Sequence, residues 1–468
     1  MRKIFIASLA IVMVSIFAAS AQQDGGQEEV ITLTVEQAVE YALQNSRDLK
    51  SNDIDLAIKE RSAKYSWNVF LPEITLSGSA ARTTDIDSTL QSANGSAQIM
   101  QMIKGLHPGV PLPEVSILEA EEKYHWALVG NINAQLNLSL AYIYSIKAAK
   151  AGYEGGKITW EQSQKQTIMN IKKLFYGLLL QQESLEIQRM SLENARQRAA
   201  QAQVNFNNGR IPQLQFFNAQ VTYENQRPEV ETAERSFNQQ LDTFAFLIGM
   251  PVGTKIELSG SIEPEYVNVT TEELLEKYGE QNLNVRSLQN NIDILNMNLK
   301  ALNLSSYTPA LVLSYGWQPV GTWWSGDLDF ADQGSLSITL AFNITNMLPW
   351  SANRQKAQDL KDNISKLNLT METLTENQKV QVRKAVDTLN QAREQIDSMG
   401  RTVELARRSY DMSVSSFNNG RMELLDVRDA QTQLNQAMLG QLNQKFNYIS
   451  ALMDLEYELN SDLSEYKE

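Results

Sequence analysis

"FNNGRIPQLQFFNAQ" at 206–220 and "FNNGRMELLDVRDAQ" at 417–431 open on the same turn, used twice 211 residues apart in a chain of 468. The Asn-Gly pair predicts a tight reversal, because glycine tolerates the positive φ common where a helix ends. Upstream of the second copy, residues 351–416 contain no proline, and Gly400 is their one helix-weakening residue. A helix of that length would extend about 99 Å at roughly 1.5 Å per residue, a length at home in coiled coils. Leu389, Ala392, Ile396, Met399, Val403, Ala406 and Tyr410 step alternately by three and four. That is the ~3.5-residue period of helices packed knobs into holes. In the first half, Leu178, Leu185, Leu192 and Ala199 keep the register, softened by Gln181 and Gln188. A shorter helix is predicted after each turn, at about 213–247 and 422–459. Pro212 suits the first turn of its helix, whereas Pro228 in mid-helix is expected to kink it.

Two strand-like runs precede each long helix: 73–81 with 134–144, and 310–318 with 335–344. Leu138, Leu140 and Tyr142 superpose on Ile338, Leu340 and Phe342, with Ser139 and Ala141 against Thr339 and Ala341. One face is apolar and the other small and polar, the alternation of transmembrane barrel strands. A soluble half-buried sheet shows the same alternation, but helices this long do not fit a compact soluble domain. Trp126, Trp317, Trp323 and Trp324 fall near strand ends, where aromatic girdles form. Residues 33–72 correspond to 270–309, and both stretches end in a proline that opens a strand, Pro72 and Pro309. The strand-to-turn distance is 11 residues longer in the second half, which demands a gap somewhere in that stretch.

The order helix, strand, strand, long helix, turn, helix therefore occurs twice. It predicts a first repeat at 31–250, a linker at 251–269, a second repeat at 270–460 and a tail at 461–468. The connection 82–127 holds Gly105, Pro108, Gly109, Pro111 and Pro113, so it is expected to be a long loop without long regular structure. Long loops of outer-membrane barrels are extracellular. Partial cover of an outer pore mouth and a variable surface loop are equally open readings.

The N-terminus sets the compartment. Met1-Arg2-Lys3, a 14-residue apolar run from Ile4 to Phe17 and Ala19-Ser20-Ala21 form the layout of a secretory signal peptide over 1–21, with a flexible stretch at 22–30. Cysteine is absent, so lipid attachment, disulfides and thiolate metal sites are unavailable. The formal charge is −14, or −16 once Arg2 and Lys3 are removed, and so acidic a chain is a poor partner for nucleic acid. His107 and His125 are isolated, "GGK" at 155–157 lacks the phosphate-loop spacing, and no Ser-His-Asp pattern can be placed. No enzyme, metal site or cofactor is expected.

The duplicated order resembles the TolC family of outer-membrane efflux proteins, the outer-membrane factors of tripartite efflux or type I secretion systems. The likeness rests on Ala42, Leu43 and Asn45, on Leu71-Pro72, on Leu247 with Gly249, and on Asp426, Val427 and Ala430 after the second turn. Ser46 stands where the family often has proline, and the family's strand exit survives only as Leu348-Pro349-Trp350.

The resemblance implies a mainly α fold with a transmembrane β-barrel portion. Three protomers would each give four strands to a twelve-stranded barrel, and their helices would form an α-barrel across the periplasm. Partners would be outer-membrane lipid, a periplasmic adaptor and an inner-membrane pump. The tip turns, Gly209, Arg210, Ile211, Gly420, Arg421 and Met422, would dock the adaptor. Asp426 and Asp429 match the carboxylates of the family's pore constriction, with Arg421 and Arg428 as gating candidates. The family's own tip arginine aligns with Met422, which weakens a gating role for Arg421. A periplasmic coiled-coil adaptor or structural rod is the rival class, and an exit duct for protein or peptide is the rival within the channel class. Neither the transported substrate nor the pump class is legible.

Overall fold

The heptad runs are helical without a break. In the computed structural model, which describes residues 30–467 apart from 86, 110, 112, 114–116, 118–124, 252, 319, 322–333 and 420, two long helices carry them. The elements in chain order are β1 (Ile31–Leu33), α1 (Val35–Asn45), α2 (Arg47–Lys64), β2 (Glu73–Arg82), α3 (Asp87–Leu106), β3 (Trp126–Leu138), α4 (Ala141–Asn207) and α5 (Gln213–Ile248). They continue as β4 (Ile256–Leu258), α6 (Thr271–Tyr278), α7 (Leu283–Tyr307), β5 (Ala310–Trp317), β6 (Val320–Gly321), β7 (Gly334–Ala341), α8 (Ala352–Asn418) and α9 (Leu424–Leu459). The signal-peptide segment lies outside the described residues. Among them, no helix is long and apolar enough to cross a membrane.

The duplication is kept to the residue in the hairpins. α4 and α8 each contain 67 residues, and α5 and α9 each contain 36. The extra residues of the second half therefore fall between strand and helix, where 342–351 make a 3-10 turn and bend before α8 begins. Both return helices end the same way. Gly249 (φ +89) and Asn460 (φ +54) are left-handed, and the next N–H reaches back to Ala245 O (2.8 Å) and Glu456 O (3.1 Å). These closures satisfy carbonyls that the helix end leaves unpaired. A side chain at Gly249 would also collide with the Asn45 carbonyl, 2.6 Å from an ideal Cβ. Pro228 lies inside α5, which runs unbroken through it.

The chain divides into two compact units. The first comprises residues up to Ile54, Trp160–Leu283 and those from Thr375 onward. It holds two cores that repeat each other: Ile171, Phe175 and Leu178 in one take the places of Val382, Val386 and Leu389 in the other. Thr34 caps α1 by accepting from Gln37 N–H, and Ser46 and Asn282, both extended, end the first helical stretch of each repeat. The break at Ser46 forms without the family's proline. The linker 251–269 carries β4, which pairs in parallel with β1, and Leu463 after α9 is fully buried. Lys277 Nζ donates to Glu465 at 2.6 Å and Tyr278 donates to the same carboxylate, which holds the Glu465 carboxyl below its ordinary range.

The second unit, Asp55–Thr159 with Asn284–Leu374, holds the sheet, in the order β2-β3-β5-β7 with every pair antiparallel and β6 paired to β3. Its register sorts the residues cleanly. Leu138–Leu311–Leu340, Leu136–Leu313–Ile338 and Ile74–Ala134–Tyr315–Leu336 lie in rows on one face. Asn137–Val312–Thr339, Gln135–Ser314–Ser337 and Asn133–Gly316–Ser335 lie on the other, where the Ser314 and Ser337 hydroxyls bond at 2.6 Å.

Two sequence readings are corrected. The second strand is Trp126–Leu138, not 134–144, because β2 pairs along its whole length with 126–135. Leu140 and Tyr142 leave the sheet, the Ser139 hydroxyl accepts Ala141 N–H at 3.2 Å, and α4 starts there. Leu138 is thus level with Leu340 rather than Ile338. The connection 82–127 is also not a plain loop, since α3 occupies 20 of its residues. Its prolines all lie beyond that helix, so they end regular structure rather than prevent it.

Candidate functional site

The two hairpin turns and the start of α9 form the candidate site. At the first turn Gly209 has φ +68 with open space around it, and Arg210 N–H bonds Asn205 O at 2.8 Å. At the second, Arg421 N–H bonds Ser416 O at 2.9 Å, the same closure 211 residues on. Gly420 lies outside the described residues. Arg210 and Arg421 are exposed, while Ile211 and Met422 are half-buried. Phe206 is stacked on Phe216 at 5.6 Å between ring centres.

Asp426 and Asp429 share an exposed face of α9, while Val427 and Ala430 beside them are buried. Spacing of three puts both carboxylates on neighbouring turns of one surface. Asp426 accepts Glu423 N–H at 3.3 Å, so it also helps to start the helix. Arg428 lies 3.7 Å from Asp429, with both side chains more than half exposed. Such a solvated pair contributes ~0–1 kcal/mol and leaves the carboxylate available. Gln215 and Asn218 hold the matching exposed places on α5, so charge enters at this level through the second hairpin alone.

Of the four tryptophans expected at strand ends, Trp126 opens β3 opposite Arg82, and Trp317 closes β5 opposite Ile132 and Gly334. Trp323 and Trp324 lie outside the described residues. Sequence reasoning missed the apolar residues at the other end of the sheet. Trp67, Phe70 and Leu71 precede β2, while Phe342, Ile344 and Trp350 follow β7, all exposed, Trp350 to 81%. Phe70 meets Tyr142 edge-on at 5.9 Å. β2 and β7 run in opposite directions, so both groups lie at one end of the sheet. The signal was available beside Leu71-Pro72 and Leu348-Pro349, but only strand polarity unites the two groups.

Residues 38–250 match the family described as outer membrane efflux protein. No curated protein sequence is significantly similar to the chain. Among solved structures, the CmeC outer membrane channel of Campylobacter jejuni is similar with a TM-score of 0.71 at 17% identity, over 92% of this chain and 88% of that one. CusC is similar with a TM-score of 0.70 at 14% identity, over 95% and 96%. The open-state MtrE outer membrane channel of Neisseria gonorrhoeae gives 0.67 at 14% identity, over 92% and 89%. At such identities the likeness is one of fold, and these relatives are channels rather than enzymes. Residues 38–250 thus carry the signature of the outer membrane efflux protein family, and over its length the chain has the fold of these outer membrane channels.

Proposed function

We propose that the chain is one protomer of a trimeric channel that conducts substrates from a periplasmic adaptor and an inner-membrane pump to the cell exterior. The observation that carries this reading is the sheet: the row β2-β3-β5-β7, with the short β6 beside β3, has one apolar face, one small polar face and open edges at β2 and β7. Strand edges left open in lipid lose several kcal/mol per unpaired group, so such a sheet must close with other copies. Three copies would close a barrel of twelve strands, with the hairpins extending into the periplasm. A rod would have no use for the apolar face. Mass measurement of the detergent-extracted protein is expected to give three chains; a monodisperse monomer would overturn the reading.

The tip turns are where the adaptor would dock. Gly209 with Arg210 and Ile211, and Gly420 with Arg421 and Met422, end the two equal hairpins, and both arginines are exposed. Arg210→Glu with Arg421→Glu is expected to reduce adaptor crosslinking by at least about tenfold, from reversed attraction of two surface charges per protomer, while the trimer persists. Wild-type crosslinking and efflux in that variant would remove the turns from the interface. Asp426 and Asp429 would form two stacked rings of carboxylates at the narrow end of the pore. Arg421 and Arg428 flank those rings, as gating residues would.

A further inference from the structure

Gln431 lies two residues beyond Asp429 on α9, yet it is only 7% exposed while Asp429 faces solvent. At about 100° per residue, those positions point to nearly opposite sides of the helix. Both ends of the buried amide are used. Arg198 Nη2 donates to Gln431 Oε1 at 2.5 Å, and Gln431 Nε2 donates to Ser191 Oγ at 3.4 Å. The same guanidinium donates to Tyr410 Oη at 3.0 Å, with its central carbon 6.0 Å from the Tyr410 ring centre. One arginine on α4 therefore holds both helices of the second hairpin, α8 through Tyr410 and α9 through Gln431. Both acceptors are neutral, so the clasp is a set of charge-assisted hydrogen bonds with a directional requirement.

The second hairpin needs such a device more than the first. In the first, the stacked Phe206–Phe216 pair, 5° from parallel, pegs α5 against α4. In the second, Val427 stands where Phe216 does, and of the buried apolar positions that follow on α9, Ala430 and Ala437 are small and Leu434 is the one large side chain. Small apolar residues specify helix rotation weakly, whereas a satisfied buried polar group specifies one register.

We infer that Arg198 is the positioning residue of the Asp426–Asp429 face. By clasping Gln431 on the far side of α9, it sets the rotation that keeps both carboxylates on one exposed surface. Only the consequence for conduction rests on the pore reading above; the positioning stands apart from it.

The chain has no cysteine, so a single introduced thiol reports its own position. In the full-length reconstituted channel, Asp429→Cys is expected to react with a charged thiosulfonate much faster than Ala430→Cys, which is buried. Adding Arg198→Met, which keeps the stem and deletes the donors, is expected to cut that ratio by about tenfold, the equilibrium worth of a hydrogen bond to a charged group. Gln431→Glu keeps the acceptor and is expected to preserve the ratio. With both aspartates present, Arg198→Met is also expected to lower the cation-to-anion permeability ratio. An unchanged thiol ratio in an assembled Arg198→Met trimer overturns the inference. If that variant does not assemble, Gln431→Met makes the same comparison, and an unchanged ratio there overturns it equally. A collapsed thiol ratio with unchanged permeability upholds the positioning and overturns the pore reading instead.

Discussion

In planar bilayers, the Asp426→Asn, Asp429→Asn channel is expected to lose most of its cation preference and its block by multivalent cations added from the hairpin side. A unit charge ~4 Å from a passing ion is worth about 1 kcal/mol even at the dielectric of water, and more where walls exclude water. Removing six such charges from a trimer is therefore expected to lower the cation-to-anion permeability ratio by about tenfold, after allowance for screening. Asparagine is the informative replacement. It keeps an acceptor for Glu423 N–H, so the start of α9 is preserved while the charge goes. The neutral Gln215 and Asn218 on α5 offer no carboxylate at the matching places to mask the loss. Wild-type selectivity and block in the double variant would show that these carboxylates are not the filter.

The second large effect is expected at the sheet. Ile338 lies in the apolar row Leu136–Leu313–Ile338 and is 68% exposed in the single chain, while its neighbour Thr339 lies on the polar face. Arg at a lipid-facing mid-membrane position costs about 2–4 kcal/mol, and the trimer carries it three times. Ile338→Arg is thus expected to cut assembled trimer in the outer-membrane fraction by more than about tenfold, since ~1.4 kcal/mol already corresponds to a factor of ten. Thr339→Arg, one residue away on the polar face, is expected to assemble and to alter conductance. Equal trimer yields for the two variants would mean that the two faces are not lipid and lumen.

The two predictions draw on different sources. That Asp426 and Asp429 share a face follows from their spacing, because a helix repeats its surface every three to four residues. Which way that face points does not follow from spacing. It is decided by Val427, Ala430 and Gln431, which α9 buries against its neighbours, and by an arginine more than two hundred residues away in the chain. The exposed band of Trp67, Phe70 and Trp350 was written in the sequence as scattered aromatics; strand direction made it a band.

The same division holds for the fold. Heptad spacing, proline-free runs and a repeated glycine turn determined the hairpins, because helical hydrogen bonds are local and their period is printed in the residues. The alternation of residues determined that strands exist and which side chains share a face. It did not determine where β3 begins. A period of two carries parity but no offset, so shifting a strand by two residues leaves the same side chains on the same face. "SLAYIY" at 139–144 alternates as well as "WALVGNIN" at 126–133, yet the first enters a helix and the second a strand. Only the tertiary structure decided between them, because the ten residues of β2 must find backbone partners and residues 126–135 are the ones in reach.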